Sequence, residues 1–287
     1  MGDAVATAPG EPADRQRTLA SPVELRGVGI HTGAPSRAVL RPAPADAGVW
    51  FGIDGVRIPA EAAHVAEASR CTVLEAGGAR VATVEHVLSA LFGLGVDNAQ
   101  IDVEGPELPI LDGSAAPWAD AILSAGVAVL PAKPRCVRLD APVVLHEGET
   151  WLVATPADSL RVTCVTCYDH ALLGTTAAAF SGTPDSYRSE VAPARTYWFE
   201  AEVAALRAAG LGLGGSLDNA LIIHTDRFSS PLRLPAEWTR HKLLDLLGDL
   251  ALVGRRLAAC VTAIRPGHRT NAAFAALIAG SASRERA

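Results

Sequence analysis

The chain has 287 residues, 49% of them hydrophobic and 20% charged, and carries a formal net charge of −6. That composition fits one large folded domain or two small ones and excludes wholesale disorder. The acidic balance excludes broad nucleic-acid binding, which needs a basic footprint, yet leaves room for an anionic small molecule held by one or two local cations.

The five cysteines (Cys71, Cys136, Cys164, Cys167 and Cys260) are odd in number and irregularly spaced, so they do not read as a disulfide framework. Cys164 and Cys167 spell CxxC, but in a strand-like run with no second CxxC; they read as small packed hydrophobes. Residues 1–17 lack the apolar core of a signal peptide. No apolar run reaches the roughly 18 residues that span a bilayer. A cytoplasmic protein without a transmembrane segment is expected.

In chain order, residues 1–17 are expected to be a disordered end. A first α+β domain is expected over 18–130, a Pro-punctuated linker over 131–135, a second α+β domain over 136–280 and a flexible tail over 281–287. In the first domain a strand is predicted at Arg37–Arg41. A helix follows over Thr83–Gly93, where Val84, Val87, Leu88, Leu91 and Phe92 share one face and Thr83 is placed to cap the start. Asn98–Glu104 alternates as a half-buried strand. Pro117 suits the first turn of a second helix. The second domain is predicted to run as strands at Val137–Leu145, Trp151–Thr155 and Leu160–Tyr168, a helix at Thr196–Ala209 and a strand at Asn219–Ile223. A longer helix then extends from Pro235 to Val253, followed by a strand at Leu257–Ile264 and a helix at Asn271–Ile278. Strands plus two helices, twice over, suggest α+β layers.

Three places could carry chemistry. His241, Asp245 and Asp249 fall at i, i+4 and i+8, one stripe of the long helix. An imidazole and a carboxylate one turn apart can reach one metal ion, although the same spacing suits a solvated His–Asp pair. Glu85 and His86 are adjacent in Thr-Val-Glu-His-Val, neither HExxH nor HxxEH. There the His could be a third ligand and the Glu could take a proton from attacking water, or both could lie on a polar helix face. His268, after Gly267 at a strand-to-helix junction, could be a general acid oriented by Asp249, or an ordinary surface His. Gly210, Gly212 and Gly215 spell GxGxxG. They follow a helix and precede a strand, the reverse of the dinucleotide-binding context, and read as a helix stop and loop. Asp112-Gly113-Ser114 lacks the GxSxG elbow.

Seven blocks in order then carry a resemblance. They are Gly27-Val-Gly-Ile-His31-Thr-Gly33, Thr83–Val87 running into Gly95–Asn98, Glu107–Pro117, Ala194-Arg-Thr196, Gly214-Gly-Ser216, Arg240–Asp245 with Gly248-Asp249, and Gly267-His268. Together they closely resemble the UDP-3-O-acyl-N-acetylglucosamine deacetylase family, zinc amidases of bacterial lipid A synthesis. The resemblance implies two similar α+β domains, each a β-sheet with two helices, packed helix layer to helix layer, with a small insert in each. The second insert, a βαβ unit shaping the substrate cleft, is expected at about residues 169–191. By the same resemblance His86, His241 and Asp245 hold Zn²⁺, and Glu85 is the base. His268, supported by Asp249, is the acid, Thr196 donates a hydroxyl to the oxyanion, and Lys242 contacts the substrate's phosphate or leaving amine. The implied partner is a small molecule, a UDP-linked acylated N-acetylglucosamine, acted on by a monomer. Tyr197-Trp198 stands where the family usually carries Phe-Gly, and Asp169-His170-Ala171 departs from its His-Pro. Those departures leave open a zinc amidohydrolase of the same fold with another N-acetylated substrate. A non-catalytic binder of nucleotide sugars or acyl chains would show a degenerate site.

Overall fold

The computed structural model describes residues 14–281. Most of the two expected disordered ends, residues 1–13 and 282–287, lies outside the described residues. The remainder of the first end is ordered: Gln16 is buried, and Arg17–Leu19 pairs with Val127–Val129.

Among the described residues six α-helices are present. They are α1 (Glu85–Gly93), α2 (Ala116–Ala125), α3 (Pro184–Glu190), α4 (Glu200–Ala208), α5 (Glu237–Leu250) and α6 (His268–Gly280). A five-stranded sheet runs in the order Val23–Val28, Pro35–Pro42, Ala99–Glu104, Val49–Ile53, Val56–Pro59. A second sheet runs in the order Val143–Glu147, Thr150–Pro156, Arg256–Ile264, Arg161–Cys167, Thr175–Phe180. Cys136–Arg138 adds to it parallel with the start of Arg256–Ile264. Both sheets alternate buried and outward-facing residues: Ala99, Ile101 and Val103 point inward as expected, and so do Val162 and Cys164. Cys164 and Cys167 are an odd number of residues apart in one strand, so they face opposite sides of the sheet and cannot converge on a ligand.

The inward faces meet the helices in one apolar cluster that includes Leu40, Ile101, Leu88, Leu244, Val261 and Phe274. At its centre α5 is buried almost all round, and α1 and α6 both pack against it. The α1–α5 crossing is close because residue 248 is Gly: a Cβ there would strike the Glu85 backbone. This crossing brings the Glu-His pair of α1 to the His-Asp stripe of α5.

Several expectations need correction. Thr83 does not cap α1. It has a left-handed backbone (φ 61°) and its hydroxyl donates to Glu107 Oε1 at 2.7 Å. The strand predicted over 137–145 is two strands with different partners, Cys136–Arg138 and Val143–Glu147. The helix predicted from Thr196 begins only at Glu200. Tyr197–Phe199, aromatic and suited to a pleated surface, instead pairs in parallel with Leu221–Ile223. That strand, α4 and Leu221–Ile223 form a βαβ unit, so the βαβ unit expected at about 169–191 lies at 197–223. The 169–191 stretch supplies strand Thr175–Phe180 of the main sheet and the short α3. In the first half, a small three-stranded sheet (Val65–Glu67, Val73–Ala76, Ala79–Val81) stands beside the cleft.

Candidate active site

The first turn of α1 carries Glu85 and His86, α5 carries His241, Asp245 and, next to its last residue, Asp249, and the first residue of α6 is His268. All six are buried, so the surface alternatives for these residues do not hold. His86, His241 and Asp245 offer ligand atoms that all lie within 4.8 Å of one another. His241 Nε2 is 3.4 Å and His86 Nε2 3.9 Å from Asp245 Oδ1. The far nitrogen of His241, Nδ1, lies 3.0 Å from the Ala194 carbonyl, which orients the ring as a neighbouring carbonyl does for a metal-ligating His.

The electrostatics suit a cation. Burial, reinforced by His241, pushes His86 down to about 3, and burial also lowers His241. Both imidazoles are therefore neutral, the form that ligates metals. Burial opposes the charge of Asp245, but Lys242 and the neighbouring histidines hold its carboxyl well below the usual range. His86 Nδ1 is buried without a hydrogen-bond partner. Two neutral nitrogens and one carboxylate are an ordinary Zn²⁺ donor set, and three protein ligands leave a position open. The residues present fit the metal.

Beside this cluster stands an acid–base pair. Burial raises Glu85 to about 7, with His268 pulling the other way and Asp249 and Asp245 adding to the rise. Burial opposes protonation of His268, but Asp249, Asp245 and Glu85 raise it to about 9. His268 is thus cationic at neutral pH, its Nδ1 donating to Asp249 Oδ2 at 3.0 Å and its Nε2 lying 4.0 Å from Glu85 Oε1. Asp249, fully buried, also accepts from Asn271 Nδ2 at 3.0 Å and from the Thr72 hydroxyl at 2.6 Å.

The cluster opens into a cleft of about 230 Å³. Its other wall is the βαβ unit, through Trp198, Phe199, Glu202 and Leu206. Thr196 reaches the cleft because Gly113 lets two backbones touch: its carbonyl accepts from Thr196 N–H at 2.7 Å, and a Cβ at residue 113 would meet Asn219. Lys242 also lines the cleft, with Nζ 2.9 Å from Asp245 Oδ2 and 5.9 Å from the Tyr197 ring centre. Asp245 raises Lys242 against its burial, so the amine keeps its charge. The Tyr168 and Tyr197 hydroxyls bond to each other at the join between main sheet and βαβ unit. The indole of Trp198 lies over Gly212 and Gly215, in the loop whose spacing spells GxGxxG.

Two polar residues were missed. Thr72 follows Cys71 with no motif around it. Glu107 sits in the quoted 107–117 block but had no role. It is fully buried and accepts from the His31 and Thr32 backbones and from the Thr32 and Thr83 hydroxyls. A buried carboxylate holding the His31 loop to the turn before α1 has no local sequence signature.

The fold and site define a class: an α+β protein with a buried His-His-Asp cluster that could hold a metal ion, next to a buried carboxyl and imidazole 4.0 Å apart. Comparisons with known proteins narrow it. The UDP-3-O-acyl N-acetylglycosamine deacetylase family matches residues 16–279. Among relatives named UDP-3-O-acyl-N-acetylglucosamine deacetylase, that of Anaeromyxobacter dehalogenans is 43% identical over 263 residues, covering 90% of this chain and 85% of the relative. That of Brucella melitensis is 41% identical, covering 89% and 92%. That of Syntrophotalea carbinolica is 38% identical, covering 89% and 85%. The chain belongs to the UDP-3-O-acyl-N-acetylglucosamine deacetylase family.

Proposed function

We propose that the chain hydrolyses the acetamide of UDP-3-O-(3-hydroxyacyl)-N-acetylglucosamine, releasing acetate and the free 2-amino sugar at the committed step of lipid A biosynthesis. The observation that carries this reading is the buried His86–His241–Asp245 cluster flanked by Glu85 and His268, in a chain that matches the family from residue 16 to 279.

His86, His241 and Asp245 would hold Zn²⁺, whose Lewis acidity would favour attack on the acetamide carbonyl. Glu85 is the base: one carboxylate oxygen is held by the Thr72 N–H at 3.0 Å, and the other is turned toward His268 and accepts the proton of the attacking water. His268 keeps a proton on Nε2 and delivers it to the departing amine, while Asp249 fixes the ring through Nδ1. Thr196 donates its hydroxyl to the developing oxyanion, a contribution of roughly 3 kcal/mol in comparable sites. Lys242, charged in the cleft, meets the substrate's phosphate or leaving amine.

The two halves, 18–130 and 136–280, are read as similar domains meeting through α1 and α5, in a monomer. Among the described residues no helix is long and apolar enough to cross a membrane. A nucleotide-linked substrate favours the cytoplasm. Trp198 favours a second reading, the same chemistry on another N-acetylated amine, because its indole occupies the wall where the family usually carries Gly. Acetate release from the UDP sugar at several acyl lengths, with and without a chelator, separates the two. Release that chelation abolishes and zinc restores supports the first. Activity confined to other N-acetyl amines would replace it with the second.

A further inference from the structure

Thr72 is fully buried and uses all of its polar groups on the acid–base pair and its support. Its N–H donates to Glu85 Oε2 at 3.0 Å. Its carbonyl accepts from the N–H of Val84, the residue that precedes α1, at 3.4 Å. Its hydroxyl donates to Asp249 Oδ1 at 2.6 Å and lies 3.4 Å from His268 Nδ1. One residue of the small three-stranded sheet unit thus touches the base on α1 and the residue that orients the acid on α6.

We propose that Thr72 is a positioning residue for the hydrolysis: it sets the orientation of Glu85 relative to His268. The inference rests on the assignment of Glu85 as base and His268 as acid. Asp249 has two oxygens and three donors. With the Thr72 hydroxyl on Oδ1, Oδ2 is directed at His268 Nδ1 and Asn271 Nδ2. Without that hydroxyl, Oδ1 is a buried acceptor with no donor, and the carboxylate turns to share the donors that remain. The imidazole then loses the orientation that aims Nε2 toward Glu85. The backbone bond to Glu85 is untouched by a side-chain change, so the acid half of the pair can be disturbed alone.

Thr72→Val keeps shape and volume and removes only the hydroxyl. The expected result is a fall in kcat of roughly tenfold or more, the size that small misplacements of reacting groups produce, with KM and zinc content unchanged. Thr72→Ser, which restores the donor, returns kcat to the wild-type level. In a double-mutant cycle Thr72→Val adds little to His268→Ala, because the two changes remove one function. If Thr72→Val does not fold, Thr72→Ala takes its place with the same expectations. The role is overturned by wild-type kcat in the hydroxyl-free variant, by Thr72→Ser being as impaired as Thr72→Val, or by full additivity with His268→Ala. Glu85→Ala, assayed in parallel, separates the two levels. If it is inactive while Thr72→Val is normal, only the Thr72 role fails. If it is active, the acid–base assignment fails and Thr72 with it.

Discussion

The two walls of the cleft are built differently. The helical wall, from α1, α5 and α6, carries Glu85, His86, His241, Asp245, Asp249 and His268, all buried and interlocked by charge and hydrogen bonds. The βαβ wall, from Tyr197–Phe199 and α4, presents Trp198 and Glu202, which remain partly exposed. Of α4 only Leu206 is buried, and α4 reaches across the cleft through the Glu202–Arg70 pair, 3.8 Å apart and about half exposed on both sides, while the loop after it is tied across by Leu213 N–H on the His31 carbonyl and Gly214 N–H on the Ile30 carbonyl, both at 3.1 Å. An exposed pair at that distance contributes at most about 1 kcal/mol. The lesson is a division of labour. Groups that move protons need fixed geometry and low dielectric, which come from packed helices. The opposite wall is anchored through the buried Leu221 and Ile223 and the 210–216 loop, and its helix α4 faces outward, where a change of side chain meets few neighbours.

That contrast can be broken at either wall. On the helical side, Glu85→Ala is expected to lower kcat by about 10²–10⁴-fold while zinc remains bound, read by turnover and metal analysis; an active Glu85→Ala enzyme removes the assigned base. The same wall sets the pH profile. A base near 7 must lose its proton, so activity rises through that value; an acid near 9 must keep its proton, so activity falls above it. A bound cation moves both limbs down. His268→Ala should erase the alkaline limb, and a limb that survives it belongs to another group.

Gly248→Ala tests the crossing itself. The added methyl meets the Glu85 backbone, so a loss of about 1–3 kcal/mol is expected in chemical denaturation, together with lower activity. Unchanged stability would mean that α1 and α5 have slack. The smallest effect belongs to the other wall. Trp198→Gly should leave zinc content and fold intact and shift the kcat/KM ratio between long and short acyl chains by about tenfold, the scale of a methylene or two in an apolar pocket. An unaltered ratio would mean that Trp198 does not touch the acyl chain.

Legibility in the sequence followed the range of the interactions. The stripe His241, Asp245, Asp249 was readable because helical periodicity is local, and the structure gathers those residues as the spacing implied. The alternation of Ala99, Ile101 and Val103 was readable for the same reason. Thr196–Phe199 was misread as helix because the following α4 pattern is helical and the partner that makes 197–199 extended lies at 221–223. The βαβ unit was misplaced with it. Thr83 looked like a cap because hydroxyls commonly cap helices; its actual acceptor, Glu107, is 24 residues away.

Read alone, the sequence determined the residue types of the candidate site, their order and their spacing within each helix, because those depend on neighbours a few residues apart. The tertiary structure decided that His86 meets His241 and Asp245 across the Gly248 crossing and that all are buried. It also decided that Thr72 and Glu107 hold the site together. Each of those outcomes rests on contacts between distant segments, and burial is a property of the folded whole.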